Sequence, residues 1–104
     1  TMNMYVMIDL KKTVPVRSIS LFSQPNNLHP NLFEDIQIYV GTEVDEAAMD
    51  SGNFDMLELF AVTKGTKVTG ERQTFDFMKP KYMRFVVLFR KGYERTQICD
   101  VVIS

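Results

Sequence analysis

Short stretches in which apolar and polar residues alternate recur along the whole chain, and they constrain its fold more than any other feature. The clearest one spans residues 35–40, where Ile36, Ile38 and Val40 alternate with polar or aromatic neighbours before Gly41. Alternation with a period of two places one set of side chains on one face of a β-strand. No segment keeps the 3.6-residue period of a helix over several turns. The pattern therefore predicts an all-β fold.

Seven such stretches are predicted as strands, and turn-forming residues separate them. The predicted strands are 4–10, 16–22, 35–40, 57–63, 73–77, 82–89 and 97–103. The first two are expected to form a hairpin across the polar turn 11–13. The acidic segment 43–55 is predicted as a long connection in which 47–49 could form one helical turn. Seven short strands with turns between them are typical of a β-sandwich or barrel.

Composition places the chain among ordinary globular domains, with 104 residues, 45% hydrophobic residues and 24% charged residues. A single domain over residues 1–104 is therefore expected. The formal net charge of -1 offers no field that could hold a phosphate backbone, so nucleic acid is not an expected partner. The longest apolar run, 85–89, is far shorter than a membrane span requires, and we expect no transmembrane segment.

Two single residues in the predicted strands have a structural interpretation. Cys99 is the only cysteine, which excludes an internal disulfide framework and a multi-cysteine zinc site. We expect a buried thiol, because it lies in the apolar run 98–103. Arg84 interrupts the apolar strand 82–89 and should pair with Asp9 or Asp100, since an unpaired buried charge is costly.

Catalytic and metal sites are not expected from the polar residues. Glu43, Asp45, Glu46, Asp50 and Asp55 could offer oxygen ligands to calcium, but their spacing fits no EF-hand loop, and a solvated loop is the favoured interpretation. His29 is the only histidine, so it makes a poor metal-ligand set, and nucleophilic catalysis would need a serine or cysteine partner. We therefore predict no enzyme activity, no metal and no cofactor.

Four segments follow one another in a characteristic order. Residues 5–12 read Tyr-Val-Met-Ile-Asp-Leu-Lys-Lys, and 16–21 continue with a Val-x-x-Ile-x-Leu strand. Residues 36–42 (Ile-Gln-Ile-Tyr-Val-Gly-Thr), 81–87 (Lys-Tyr-Met-Arg-Phe-Val-Val) and 96–102 (Thr-Gln-Ile-Cys-Asp-Val-Val) supply the other phrases. Together they resemble the discoidin domain, also called the coagulation factor 5/8 type C domain, and the related family 32 carbohydrate-binding modules. The resemblance covers nearly the whole chain and implies an antiparallel, galactose-binding-like β-sandwich with jelly-roll topology.

The chain departs from the family pattern at three places. Family members usually carry a further N-terminal segment that helps to build a structural calcium site, and nothing precedes Thr1. The domain is therefore expected either to lack that segment or to close its sandwich in another way, and calcium is not carried over. An arginine often follows the second strand of sugar-binding members, whereas 22–27 read Phe-Ser-Gln-Pro-Asn-Asn here. Residues 43–45 replace the family's Ser-x-Asp-Gly turn.

The candidate ligand-binding site is drawn from two loops. Residues 24–34 hold two prolines, three asparagines and the only histidine, and the predicted hairpin would bring this loop to the end of the sandwich where the family topology places 91–95. The candidate residues are Gln24, Asn26, Asn27, His29, Tyr93 and Arg95. Amide, imidazole and guanidinium groups beside an aromatic ring suit a neutral polyol. The alternative is that these residues only shape a turn and pack on the rim.

The sequence and the resemblance together imply a non-catalytic carbohydrate-binding module. We expect it to belong to a larger extracellular or cell-surface protein that processes glycans, such as a glycoside hydrolase. The alternatives are an adhesion-type protein-interaction module and a structural spacer without a ligand. Discoidin-like domains also bind phospholipid surfaces, but the first loop offers only Leu28, Leu32 and Phe33 for that purpose.

Overall fold

The computed structural model describes residues 5–23, 36–63, 72–90 and 98–104. These ranges contain five strands and one short helix. They are β1 (Tyr5–Ser23), β2 (Gln37–Gly41), α1 (Glu46–Asp50), β3 (Glu58–Val62), β4 (Arg72–Phe89) and β5 (Ile98–Ile103). The strands form one antiparallel sheet in the order β3-β2-β4-β1-β5. The predicted all-β fold is confirmed.

Two pairs of predicted strands are joined into single long strands. Segments 4–10 and 16–22 were predicted to form a hairpin, and this prediction is wrong, because both lie in β1 and both pair with β4. Segments 73–77 and 82–89 likewise lie in β4. The polar residues between the members of each pair do not reverse the chain. These residues form local irregularities within one continuous strand in each case. The described ranges therefore contain five strands in place of the seven predicted.

The two irregularities mirror each other across the β1–β4 pair. In β1, residues 10–13 stand opposite Arg84 alone, because Asp9 pairs with Phe85 and Val14 with Met83. Lys11 adopts a left-handed backbone with a φ of 74°. Its N–H donates to the Asp9 carboxylate at 2.8 Å, which is a local bond typical of aspartate in turns.

In β4, residues 77–80 stand opposite Arg17 alone, because Val16 pairs with Lys81 and Ser18 with Asp76. Pro80 lies in this excursion and is exposed. Proline has no backbone N–H, and strands therefore tolerate it at bulges, where no ladder hydrogen bond is lost. The excursion thus accommodates a proline that would disrupt a regular stretch of the strand.

The long strands bend and contribute to two layers. A straight strand with the 19 residues of β1 would extend about 60 Å, whereas the longest dimension of the molecule is 36 Å. The first layer contains β3, β2 and the halves 83–89 of β4 and 5–9 of β1; the second contains 18–22, 72–76 and β5. Residues from both layers meet in one core, formed by Val16, Ile19, Leu21, Ile36, Ile38, Val40, Met83, Val86 and Leu88. The architecture is therefore a β-sandwich.

The first layer is also covered on its outer face. A second group of buried side chains packs there, which we call the outer cluster: Met49, Phe54, Leu57, Val87 and Phe89. Successive residues of β4 therefore alternate between the two apolar groups, with Val86 and Leu88 facing the core and Val87 and Phe89 facing the outer cluster. Near-continuous apolar sequence such as that of 82–89 is typical of a strand covered on both faces, and residues 86–89 are buried in this way.

Helix α1 and the turns after it cover this outer face. Asp45 caps the helix, because its carboxylate accepts a hydrogen bond from the Ala48 N–H at 3.2 Å. Gly52, with a φ of 86°, turns the chain away after the last helical residue. The predicted helical turn at 47–49 is confirmed. Five residues are too few for a stable isolated helix, so α1 depends on Met49, which is buried in the outer cluster.

Strands β2 and β3 follow the predictions closely. Ile36, Ile38 and Val40 are fully buried, as their alternation indicated, and β3 lies within the predicted segment 57–63. Buried Thr63 closes the β2–β3 unit, because its hydroxyl accepts the Ile36 N–H and its own N–H donates to the Ile36 carbonyl, both at 2.9 Å. No helix within the described ranges is long and apolar enough to cross a bilayer.

Candidate functional site

All the candidate ligand-binding residues lie outside the described ranges. Gln24, Asn26, Asn27 and His29 belong to the segment 24–35, and Tyr93 and Arg95 belong to the segment 91–97. Their assignment therefore stays a prediction. Cys99 lies within β5, and the predicted burial of its thiol likewise stays a prediction.

The described residues on either side of these two segments lie next to each other in the sheet. Ser23, which precedes the first segment, pairs with Ile98, which follows the second. Gln37, just after the first segment, pairs with Phe89, just before the second. The two segments are therefore anchored at neighbouring positions at both of their ends. This juxtaposition replaces the hairpin as the reason to group them, since β1 continues as one strand where a hairpin was expected.

Arg90 is a charged residue at this anchor that the sequence did not single out. It directly follows β4, and its side chain is only 3% exposed. A guanidinium is buried at this depth only when contacts compensate for its lost hydration, and Arg90 has a contact partner in the fold. Its position at the end of the apolar run 85–89 is the signal that could have identified it. The structure thus places a buried cation next to Phe89, one of the described residues that flank the two segments.

Arg84, by contrast, has a structural role. Its Nε donates to Asp9 Oδ1 at 2.9 Å and its Nη2 donates to Asp9 Oδ2 at 3.1 Å, so the structure identifies Asp9 as the partner among the two predicted candidates. These bonds, together with the Lys11 N–H, lower the pKa of Asp9 from 3.8 to about 2. The same contact raises the pKa of Arg84, and its guanidinium also lies 4.9 Å from the Phe85 ring centroid. The pair holds the first irregularity of β1 against β4.

The acidic residues of 43–55 also have structural contacts. Besides the capping role of Asp45, the Asp50 carboxylate accepts a hydrogen bond from the Tyr5 hydroxyl at 3.1 Å. Burial raises the pKa of Tyr5, and the bond to Asp50 adds to that rise. Within the described ranges, no three histidine, cysteine or acidic side chains are arranged to hold a metal ion.

Comparison with known proteins finds structural similarity but no sequence match. No family model matches the sequence, and no curated protein matches it. A solved fucolectin (F-lectin) from the serum of striped bass, Morone saxatilis, superposes with a TM-score of 0.77 at 19% identity, over 95% of this chain and 31% of the lectin chain. The carbohydrate-binding module CBM32-1 of a Clostridium perfringens family 31 glycoside hydrolase superposes with a TM-score of 0.57 at 17% identity, over 97% of this chain and 64% of that chain.

At identities below one fifth, these two comparisons establish the fold and leave the ligand open. The chain spans about a third of the lectin chain and about two thirds of the module's chain. Both neighbours share the sandwich to which the four sequence phrases pointed. The described strands and these two superpositions together show that the chain has an antiparallel β-sandwich fold similar to that of both neighbours.

Proposed function

We propose that the chain is a non-catalytic carbohydrate-binding module. The observation that carries the proposal is the superposition of nearly the whole chain on two solved proteins, one described as a fucolectin and the other as a carbohydrate-binding module. We further propose that the module belongs to a larger extracellular or cell-surface protein that processes glycans. Such a module would keep its parent protein close to the glycan, while the chemistry takes place elsewhere.

The proposed ligand site is formed by the segments 24–35 and 91–97. Paired anchoring of their ends at Ser23 and Ile98 and at Gln37 and Phe89 supports the grouping. Amide groups of Asn26 and Asn27 would donate and accept hydrogen bonds with sugar hydroxyls, and the Tyr93 ring would pack against the apolar face of the sugar ring. Because a small exposed ligand buries little area, one site should bind weakly, and retention would rely on multivalency or linked domains.

A glycan-array screen of the 104-residue chain tests the proposal. We expect selective binding to a subset of neutral glycans, lost in Asn27→Ala and in Tyr93→Ala because each removes one of the contacts described above. Tyr82→Ala is the matched control, since Tyr82 is a tyrosine on β4 that is 66% exposed and lies outside both segments. Circular dichroism should show that all three variants keep the strand content of the parent chain.

The outcomes of this screen separate the candidates clearly. Binding that survives in both segment variants would remove the site assignment and keep the module. A chain that binds no glycan on the array would overturn the carbohydrate proposal. The second candidate, a protein-interaction module, would then take its place, because Met78 and Tyr82 on β4 are strongly exposed apolar side chains.

A further inference from the structure

An open cleft lies on the outer face of the first layer, in a part of the molecule to which we have assigned no function. It has a volume of about 480 Å³ and is lined by Tyr39, Gly52, Asn53, Phe54, Asp55, Leu57 and Leu59. Clefts that hold small ligands usually measure roughly 300–1,000 Å³. Its lining residues within the described ranges belong to β2, β3 and the turns between α1 and β3, which are different elements from the two segments of the site proposed above.

Three of the cleft's lining residues, Tyr39, Phe54 and Leu59, offer apolar surface to a sugar ring. Tyr39 and Leu59 are cross-strand partners on β2 and β3, and the Tyr39 ring stacks on Phe54 with centroids 4.7 Å apart and planes at 18°. Phe54 is buried, whereas the Leu59 side chain is 48% exposed. Sugar rings present C–H groups on one face, and these pack against aromatic and aliphatic surfaces of this kind.

Polar groups at the rim have free hydrogen-bonding capacity. The Asn53 side-chain oxygen accepts the Asp55 N–H at 2.9 Å, which fixes the turn and leaves the amide N–H groups as donors. The Asp55 carboxylate is exposed, and its side chain makes no hydrogen bond or ion pair within the described part of the chain. The Tyr39 hydroxyl donates to Gln37 at 2.6 Å and can still accept. A carboxylate, an amide and a phenol oxygen together match the hydroxyl groups of a sugar.

The local charge restricts which sugars can enter. Residues 42–63 contain six of the thirteen acidic residues of the chain and none of its twelve basic residues. One of the six, Glu58, is paired with Lys81 of β4, whereas the Asp55 carboxylate has no such partner in the described ranges. An anionic sugar would therefore meet like charge at Asp55, and like-charge juxtaposition disfavours binding. A neutral hexose can instead donate hydroxyl protons to the Asp55 carboxylate.

We propose that this outer cleft is a second saccharide-binding site, which takes one neutral hexose unit and rejects anionic sugars. This proposal rests on the proposed carbohydrate-binding function and extends it. A module with two separate sites would hold a branched or repetitive glycan at two points. The second contact would then be intramolecular, which raises avidity without strengthening either site.

Amide-resolved NMR titration of the 104-residue chain tests the second site. The probes are D-galactose, L-fucose and D-glucose as neutral hexoses, and D-glucuronate as the anionic counterpart, each up to ~0.1 M because a shallow site should have a Kd in the millimolar range. We expect neutral probes to shift the amide resonances of Gly52, Asn53, Asp55 and Leu59, and glucuronate to leave them unchanged.

Two variants with the same change of charge locate the binding group. Asp55→Asn should weaken binding at the cleft about tenfold, because hydrogen bonds to a charged acceptor are the stronger ones. Glu46→Gln removes a charge from the exposed side of α1, outside the cleft lining, and should bind as the parent chain does. An unchanged affinity in Asp55→Asn would overturn the proposal, and so would equal binding of glucuronate.

The titration also separates the two proposals. Shifts confined to 24–35 and 91–97 would overturn the second site and support the first. Shifts confined to the cleft would support the second site even if the segment variants bind glycans normally on the array. If no probe shifts the cleft amides at the highest concentration, the second site is wrong, and the array result alone then decides the carbohydrate-binding function.

Discussion

The carboxylate of Asp9 accepts two hydrogen bonds from Arg84 and one from the Lys11 N–H. It thereby ties the excursion 10–13 of β1 to the single residue that stands opposite it on β4. Because these contacts favour the ionised carboxylate, its pKa in the folded chain is about 2, below the ordinary value of 3.8. The pair therefore contributes stability above pH 3.8, and this contribution is lost as the pH falls through about 2.

The variant Asp9→Asn tests how much the charged Asp9–Arg84 pair contributes to stability. The amide oxygen can still accept the Lys11 N–H, but the charged interaction with Arg84 disappears. We expect the variant to unfold at lower urea concentration than the parent chain at neutral pH, and the difference to shrink as the pH falls from about 4 to about 2. Asp76→Asn, at an exposed position on β4, should show no such trend. A difference that is independent of pH would contradict the assignment.

Thr63 is the second residue whose side chain has a specific role. Its hydroxyl is the acceptor for the buried Ile36 N–H, so Thr63→Val would leave that N–H without its partner in an apolar environment. We expect a loss of about 1–3 kcal/mol in the free energy of unfolding, measured by urea denaturation. Thr63→Ser keeps the hydroxyl and loses one methyl group, so it should be destabilised less. Equal stability of Thr63→Val and the parent chain would rule this role out.

At the scale of elements, the segment from α1 to β3 behaves as a cover for the outer face. Phe54 is its anchor, because its ring contacts Tyr39, Phe89 and Tyr5 with centroid distances of 4.7, 4.6 and 6.1 Å. Leu57 packs beside Phe54 and also lies close to Gly41. A Cβ atom added at Gly41 would lie only 2.7 Å from Leu57 Cδ2. The short helix has few other buried contacts, so the cover depends on these side chains.

Phe54→Ala should release this cover. Removing a buried phenylalanine leaves a cavity and typically costs about 3 kcal/mol or more, and we expect amide hydrogen exchange to quicken most in 46–57. Met56→Ala is the matched control in the same segment, because Met56 is 52% exposed and should cost little. If Phe54→Ala destabilises the chain without quicker exchange in 46–57, the segment does not open as a unit.

At the scale of the whole molecule, the bent strands β1 and β4 run through both layers. We therefore expect the two layers to fold as one unit. Each strand contributes residues to both layers, and the core side chains of the layers touch in one cluster. Removing contacts in either layer should therefore weaken both together. A sandwich of this kind should unfold in a single cooperative step.

Ile19→Val and Ile38→Val test this cooperativity. Ile19 lies in the second layer and Ile38 in the first, and both are fully buried in the shared core. Each variant should lose about 0.5–1.5 kcal/mol and keep a single urea transition, monitored by both circular dichroism and tyrosine fluorescence. Two separate transitions in either variant would show that the layers fold independently.

The sequence by itself determined the local features of this protein. Alternation in 35–40 identified β2 and its buried residues, and the apolar run 85–89 indicated a strand buried on both faces. The charge of Arg84 indicated a carboxylate partner and limited it to Asp9 or Asp100. The sequence shows these features because the alternation of apolar residues acts within one strand. The need of a buried charge for an opposite charge likewise restricts its partner to a few residues. The order of four phrases also indicated the sandwich that the superpositions support.

Only the tertiary structure decided how these local pieces are joined. Residues 11–13 and 78–81 separate predicted strands, yet the chain continues as one strand through both, because pairing of β1 with β4 and burial in a shared core outweigh local turn preference. Pairing of β1 with β5 and of β2 with β4 brings together the described residues that flank 24–35 and 91–97, and Phe54 stacks on Tyr39 in the lining of the outer cleft. Contacts between residues distant in the chain create these features, and no local pattern encodes them.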